Sequence, residues 1–345
     1  MNMDKMECVV IGGGIVGLAI ARRLAIAGRE VLLVGRTESR ETDNVPDERA
    51  PGRPEPVEAT IMDPLGTLRA AFCARGTAAL ISYCELRGVP FKRTGQLVAA
   101  ADETQLAWLK DLCDHSGGGQ AEILDREAAS RLEHGLVCAG ALLAQDAGIV
   151  DSTALRLALR IDAEDRGAFV TENTRLFAAY PLSRGFELDL ASGPGELTSL
   201  RCEVLINAAE DAEAIQTASR IEGMLRHLPC VSQPVTSTRY NLAGTAPFGR
   251  LVVPGCRNHR AGALFFPGFN GESWMEMADP RQEMTDWVIQ GQSEHGLRGL
   301  INLFGIEARN EARAALALAD AVMDTMNGRV HWHNYAAHAP SQAVA

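Results

Sequence analysis

The sequence predicts an α/β protein in which a dinucleotide-binding domain, split along the chain, carries a second domain inserted in two pieces. Three observations predict it. Between Glu7 and Gly35 a strand, a glycine loop, a helix and a second strand follow one another. Cys202 to Ala209 reads as a buried parallel strand. Gly299 to Gly305 reads as a strand with a glycine turn, followed by a helix from Ala312 to Met326. A strand at the start and a strand and helix at the end would share one sheet, so the residues between them supply the insertion.

Size and composition agree with an enzyme-sized globular protein. The chain has 345 residues, 46% of them hydrophobic, enough for one compound domain or two intimately packed ones. Its formal net charge of −11 is spread along the sequence, with no Lys/Arg cluster, which speaks against a nucleic-acid partner. The eight cysteines never form a C-x-x-C pair and mostly sit beside apolar residues, so they read as buried thiols and not as metal ligands. No stretch is long enough to span a bilayer, and the first apolar run lacks the pattern of a secretory leader. A cytoplasmic protein without a transmembrane segment is expected.

Glu7-Cys8-Val9-Val10-Ile11 suits a buried parallel strand and runs directly into Gly12-Gly13-Gly14-Ile15-Val16-Gly17. Gly12, Gly14 and Gly17 fit G-x-G-x-x-G: the first permits the tight turn, the second lets backbone approach a pyrophosphate, the third lets helix pack on strand. Phosphates are attracted to the positive helix end. The helix runs through Leu18 to Ala25, Gly28 stops it, and Glu30 to Val34 forms the second strand. An acidic residue commonly ends that strand to bind ribose hydroxyls, but Gly35-Arg36 stands here. Arginine at this place accommodates a 2′-phosphate, which keeps NADP as an alternative dinucleotide.

Residues 36 to 64 are polar and proline-rich and read as a long loop. A helical period returns from Leu65 to Gly88, a strand covers Gly95 to Ala100, and a helix covers 102 to 115. An apolar run from Ala139 to Val150 leads to Asp151 and Ser152, either of which suits the N-cap of a helix over Ala154 to Arg166. Strand-like pieces follow at 169 to 177 and 185 to 190, joined through Ser183-Arg184-Gly185, and then at 200 to 207. After Arg329 the tail carries His331, His333 and His338 in Ala/Ser/Pro/Gln surroundings and reads as disordered, with no metal site expected.

These residues resemble the L-2-hydroxyglutarate dehydrogenase or oxidase group of the D-amino-acid oxidase superfamily. The matching stretches are Cys8 to Ala19, Tyr83-Cys84 through Gly88-Val89-Pro90, Gly95-Gln96-Leu97-Val98, Gly148-Ile149-Val150-Asp151-Ser152, Asn207-Ala208-Ala209 and Asn302-Leu303-Phe304-Gly305-Ile306-Glu307. They occur in the family's order over about two-thirds of the chain. The resemblance implies a Rossmann-like FAD-binding domain with an inserted, shortened mixed-sheet substrate domain, α/β in class and α+β overall. It divides the chain into FAD-binding parts at 1–88, 141–212 and 296–328, substrate-domain parts at 89–140 and 213–295, and a tail at 329–345. FAD is the implied cofactor, against Gly12, Gly13, Gly14, Ile15, Val16 and Gly17, then Gly35, Arg36 and Leu176, and finally Ala208, Gly305 and Ile306. The implied activity is oxidation of a small 2-hydroxy acid, with the flavin doing the redox chemistry and the protein supplying alignment and charge.

The sequence departs from the family where chemistry is expected. Glu58 stands near the place of a histidine that approaches the flavin, and Glu210 replaces a glycine after Asn207-Ala208-Ala209. Ala308-Arg309-Asn310-Glu311-Ala312-Arg313 replaces small residues that let backbone reach the flavin. Leu264 falls at the position of the active-site base, and no arginine matches the family's carboxylate clamp, although His259-Arg260 lies nearby. No catalytic residue is assigned. A non-catalytic relative serving as a binding or scaffold subunit, with a protein partner, is therefore an alternative to the enzyme.

Overall fold

The computed structural model describes residues 4–35, 54–63, 66–115, 121–193, 195–229, 237–243, 247–255, 263–278, 287–306 and 308–328. The chain opens with β1 (Asp4–Ile11), α1 (Ile15–Ile26), β2 (Val31–Val34), β3 (Pro54–Val57), α2 (Leu68–Arg87), β4 (Phe91–Arg93) and β5 (Gln96–Ala100). It continues through α3 (Glu103–His115), β6 (Ala121–Asp125), α4 (Arg126–Leu132), β7 (Gly140–Ala144), β8 (Gly148–Asp151) and α5 (Ser152–Glu164). Then come β9 (Phe169–Thr171), β10 (Arg175–Pro181), β11 (Phe186–Gly193), β12 (Glu196–Asn207), α6 (Asp211–Ser219) and β13 (Ser237–Leu242). The last elements are β14 (Leu251–Pro254), β15 (Ala263–Pro267), β16 (Ser273–Ala278), β17 (Val288–Gln290), α7 (Gln292–His295), β18 (Leu300–Phe304) and α8 (Ala308–Met326).

An eight-stranded sheet runs β10-β11-β12-β1-β2-β9, with β18 on β12 and β17 on β18. Its centre is parallel: β1 lies between β2 and β12, and β12 also carries β18 in parallel. Alternation divides β1 between two cores. Cys8 and Val10 pack towards the layer of α1, α2, α5 and α8, while Val9 and Ile11 pack with Leu32, Val34, Phe186 and Leu188 on the other face. A seven-stranded sheet, β13-β16-β15-β14-β5-β7-β6, is built from 96–144 and 237–278. The small sheet β3-β8-β4 lies between the two cores, because Ile149 of β8 joins the core of the seven-stranded sheet and Val150 joins the helical core. This is the mixed α/β architecture with an inserted mixed sheet that the sequence predicts. β17, inside the 213–295 span, hydrogen-bonds to β18 in the eight-stranded sheet.

Several boundaries differ from the sequence reading for identifiable reasons. The loop expected over 36–64 contains β3 and a short helical turn at Thr60–Met62; 36–53 lies outside the described residues. Pro54 and Pro56 are tolerated because β3 is an edge strand that, among the described residues, pairs only with β8. The run 169–177 divides into β9 and β10 at Asn173, which takes the left-handed conformation (φ 55°). Of the two candidate caps, Asp151 caps α5, its carboxylate accepting from the Ala154 N–H at 2.9 Å. α8 starts at Ala308, four residues before the expected start, so the charged turn that replaces the family's small residues is helical.

Candidate functional site: the glycine loop and its carboxylates

The glycine loop leaves β1 at the middle of the eight-stranded sheet, where the strands end and α1 begins. Gly12 has φ 124°, and a Cβ there would lie 2.3 Å from the Ala208 carbonyl oxygen, so only glycine fits between β1 and the end of β12. The Ala208 N–H returns a hydrogen bond to the Ile11 carbonyl at 2.8 Å. A Cβ on Gly17 would lie 1.9 Å from the Gly12 carbonyl oxygen, and one on Gly13 would lie 3.2 Å from the Gly35 Cα. Gly35 is held by β9, donating to Thr171 O and accepting from Thr174 N, both at 3.1 Å. The structure thus brings Gly12, Gly13, Gly14, Ile15, Val16, Gly17, Gly35 and Ala208 together. Gly305 and the buried Ile306 follow the end of β18, two strands from β1. The Leu176 side chain is buried with Ile11 and Val34, the residues that precede Gly12 and Gly35, and its carbonyl accepts from Arg220 at 3.1 Å. Arg36 lies outside the described residues.

The first turn of α1 has no acidic residue, and its N-cap, Gly14, offers no side chain. Free N–H groups at this end attract an anion. The groups present are the protein's own carboxyls. Glu311, buried in the first turn of α8, accepts from the Val16 N–H at 2.8 Å. Glu210, between β12 and α6, comes so close to Gly14 that a Cβ there would lie 1.8 Å from its Oε1 and 2.6 Å from Oε1 of Glu311. Arg156 of α5 stands 3.8 Å from Glu210 and 4.0 Å from Glu311. Burial and the Glu210 charge push Glu311 up to about 8, against the pull of Arg156 and the Val16 and Ile15 N–H groups.

The cradle has the form a diphosphate needs, but its contents do not fit one. A diphosphate requires the N–H groups at the start of α1 and the space before Gly14, and both are taken by carboxylates in this conformation. An FAD diphosphate laid here would meet the Glu210 and Glu311 carboxyls in the same space.

Two further charged groups occur, one where α2 and α8 meet and one between β3 and the seven-stranded sheet. Arg313 of α8 is buried and donates to Asp63 at 2.6 Å and 3.3 Å, with Arg69 3.7 Å from the same carboxylate. Burial raises Asp63 despite these cations, and Glu58 adds to the negative field. Arg239 of β13 donates to Glu55 of β3 at 2.8 Å and 3.1 Å and to the buried Glu276 of β16 at 3.0 Å. Its guanidinium also lies 5.3 Å from the Phe266 ring centroid. Burial works against this charge, yet the two carboxylates outweigh it and the pKa is raised.

Sequence reasoning singled out Glu210, Glu311 and Glu58 as departures, and missed Arg156 and Arg239. The alternation of Ser237-Thr238-Arg239-Tyr240-Asn241-Leu242 was the available signal, an arginine within a strand pattern. Leu264 is 2% exposed in the core of the seven-stranded sheet, so nothing ionisable stands at that position. His259-Arg260 and the tail histidines lie outside the described residues, among which no cluster of metal-binding side chains occurs. No helix among them is long and apolar enough to cross a membrane.

Comparison with known proteins agrees with this architecture. The chain is 26% identical over 411 aligned positions to mitochondrial L-2-hydroxyglutarate dehydrogenase of Arabidopsis thaliana, covering 92% of this chain and 83% of that protein. The aligned length exceeds the 345 residues present, so the plant protein carries segments that this chain lacks. The Caenorhabditis elegans protein of the same name is 26% identical over 61% of this chain, which spans only 48% of that relative. Among solved structures, glycine oxidase from Geobacillus kaustophilus superposes with a TM-score of 0.73 at 17% identity, covering 99% of this chain and 100% of that one. FAD-bound L-alpha-glycerophosphate oxidase from Mycoplasma pneumoniae superposes at 0.75 with 16% identity, covering 94% and 95%. The NADP alternative finds no support among these. The sequence profile of the FAD dependent oxidoreductase (DAO) family, whose cofactor is FAD, matches residues 7–293, and the chain belongs to that family.

Proposed function

We propose that this oxidoreductase acts on a small 2-hydroxy acid, L-2-hydroxyglutarate or a close analogue, converting it to the 2-oxo acid. The observation that carries the substrate class is the alignment over 92% of the chain with a protein named L-2-hydroxyglutarate dehydrogenase. The glycine loop from Gly12 to Gly17, with Gly35 and Ala208 beside it and Gly305-Ile306 after β18, is the proposed cofactor cradle. Division into FAD-binding and substrate domains at the spans given above, and a cytoplasmic location, belong to the same proposal; the plant and worm relatives are named mitochondrial. With excess FAD, the purified chain is expected to acquire flavin absorbance and to reduce an artificial electron acceptor when given L-2-hydroxyglutarate. A protein that stays colourless in excess FAD removes this reading.

A second reading, a catalytically impaired relative acting as a binding or scaffold subunit, is favoured by the apolar Leu264 and by the carboxylates in the cradle. Flavin uptake without turnover of any 2-hydroxy acid in a panel supports it.

A further inference from the structure

The carboxylate of Glu311 is held at the start of α1 by more than proximity. Its helix is pinned on two sides. The Arg313 carbonyl lies so near Gly76 of α2 that a Cβ on Gly76 would come within 2.0 Å of it. The Arg313 side chain is locked to Asp63. Two residues upstream, Glu311 is thereby aimed at α1, where the Val16 N–H meets it and Gly14 leaves the space its side chain fills. Glu210 arrives from the end of β12 and Arg156 from α5, so four elements converge on one cradle. The Gly76 contact opposes sliding of α8 past α2.

We propose that Glu311 is an intramolecular stand-in for the dinucleotide diphosphate, so that FAD binds only after this carboxylate has swung out of the cradle. The inference rests on the reading that the cradle belongs to FAD, and it concerns loading of the cofactor, not the oxidation step. Glu210 contributes by repelling the diphosphate from the same space, and Arg156 stabilises the pair of carboxylates in its absence. The wild-type chain accordingly carries less flavin than its glycine loop suggests.

The test is a titration of the full chain with FAD, followed by quenching of flavin fluorescence after any copurified flavin has been removed. Glu311→Ala is expected to bind FAD more tightly than wild type by about tenfold or more, with the isosteric Glu311→Gln between them. Should Glu311→Ala fail to fold by circular dichroism, the comparison of Glu311→Gln with wild type decides. Affinities that agree within about twofold across wild type and variants overturn the proposal, as does failure of every variant to bind. Equal, tight binding with turnover of L-2-hydroxyglutarate rejects the stand-in while sparing the proposed function. Tighter binding by the variants without turnover of any 2-hydroxy acid supports the stand-in and rejects the proposed function.

Discussion

At the residue scale, the determining fact is a carboxylate hydrogen-bonded inside a cradle shaped for phosphate. Glu311 has its pKa pushed up to about 8 by burial and by Glu210. A group whose folded pKa lies above its unfolded value adds stability that is complete below the unfolded carboxylate pKa and lost as pH rises through the folded one. Thermal melts of the wild type are therefore expected to fall in Tm as pH rises from about 5 to about 9, with the decline flattened in Glu311→Gln. The groups facing Glu311 are Glu210, Arg156 and the Val16 and Ile15 N–H groups. Parallel profiles for wild type and variant would contradict this assignment. Glu210 and Glu311 were each legible in the sequence as charged residues where small ones belong. Their meeting was not, because a spacing of a hundred residues closes only when β12 pairs with both β1 and β18. Arg156 carried no sequence signal, since amphipathic periodicity reports a face and not the neighbour it reaches.

At the element scale, helices α1, α2, α5 and α8 form a layer tied together by side chains that periodicity alone cannot pair. Asp162 of α5 accepts from Arg22 of α1 at 2.9 Å and from the Tyr83 hydroxyl of α2 at 3.0 Å, and it also pairs with Arg87. Asp162→Ala leaves these donors without their acceptor and is expected to cost about 2–4 kcal/mol in urea unfolding. A loss below about 0.5 kcal/mol would show that solvent replaces the carboxylate. Gly76 gives the opposite of the usual helical rule. Replacing an interior helical glycine by alanine normally stabilises, but here the new methyl would strike backbone of α8 at 2.0 Å. Gly76→Ala is expected to lower stability by about 1–3 kcal/mol, read as a lower urea midpoint, and a raised midpoint would refute the close crossing. The strands and helices themselves were readable because burial imposes their periods. β3 was not, since its prolines mimic a loop unless the edge position is known, and the Asn173 break fell inside a stretch read as one strand-like piece.

At the scale of the whole molecule, the chain keeps the family's sheets while placing its own acids against groups that would receive anions. Glu311 and Glu210 meet the start of α1, and Glu55 and Glu276 meet Arg239. The fold tolerates this because the glycine contacts that set the loop are backbone packing, independent of what fills the cradle. Compactness has a further measurable result. Burial pushes the thiols of Cys8, Cys73, Cys84 and Cys202 up to about 12. These four are expected to resist a disulfide reagent in the native state and to react on unfolding, as mass mapping of labelled peptides would record. Labelling of any of them in the native protein at the rate of a free thiol would rule out the packing described.

The Glu311 side chain also bears on how easily the cradle changes hands over evolutionary time. Glutamate and glycine codons differ by a single base, and the glycine contacts of the loop, the strand pairing and the pinning of α8 through Arg313 do not involve the Glu311 carboxylate. Inheritance can therefore open or shut this cleft by point substitution, without rebuilding the scaffold around it, and lineages carrying this chain have a short mutational path in either direction.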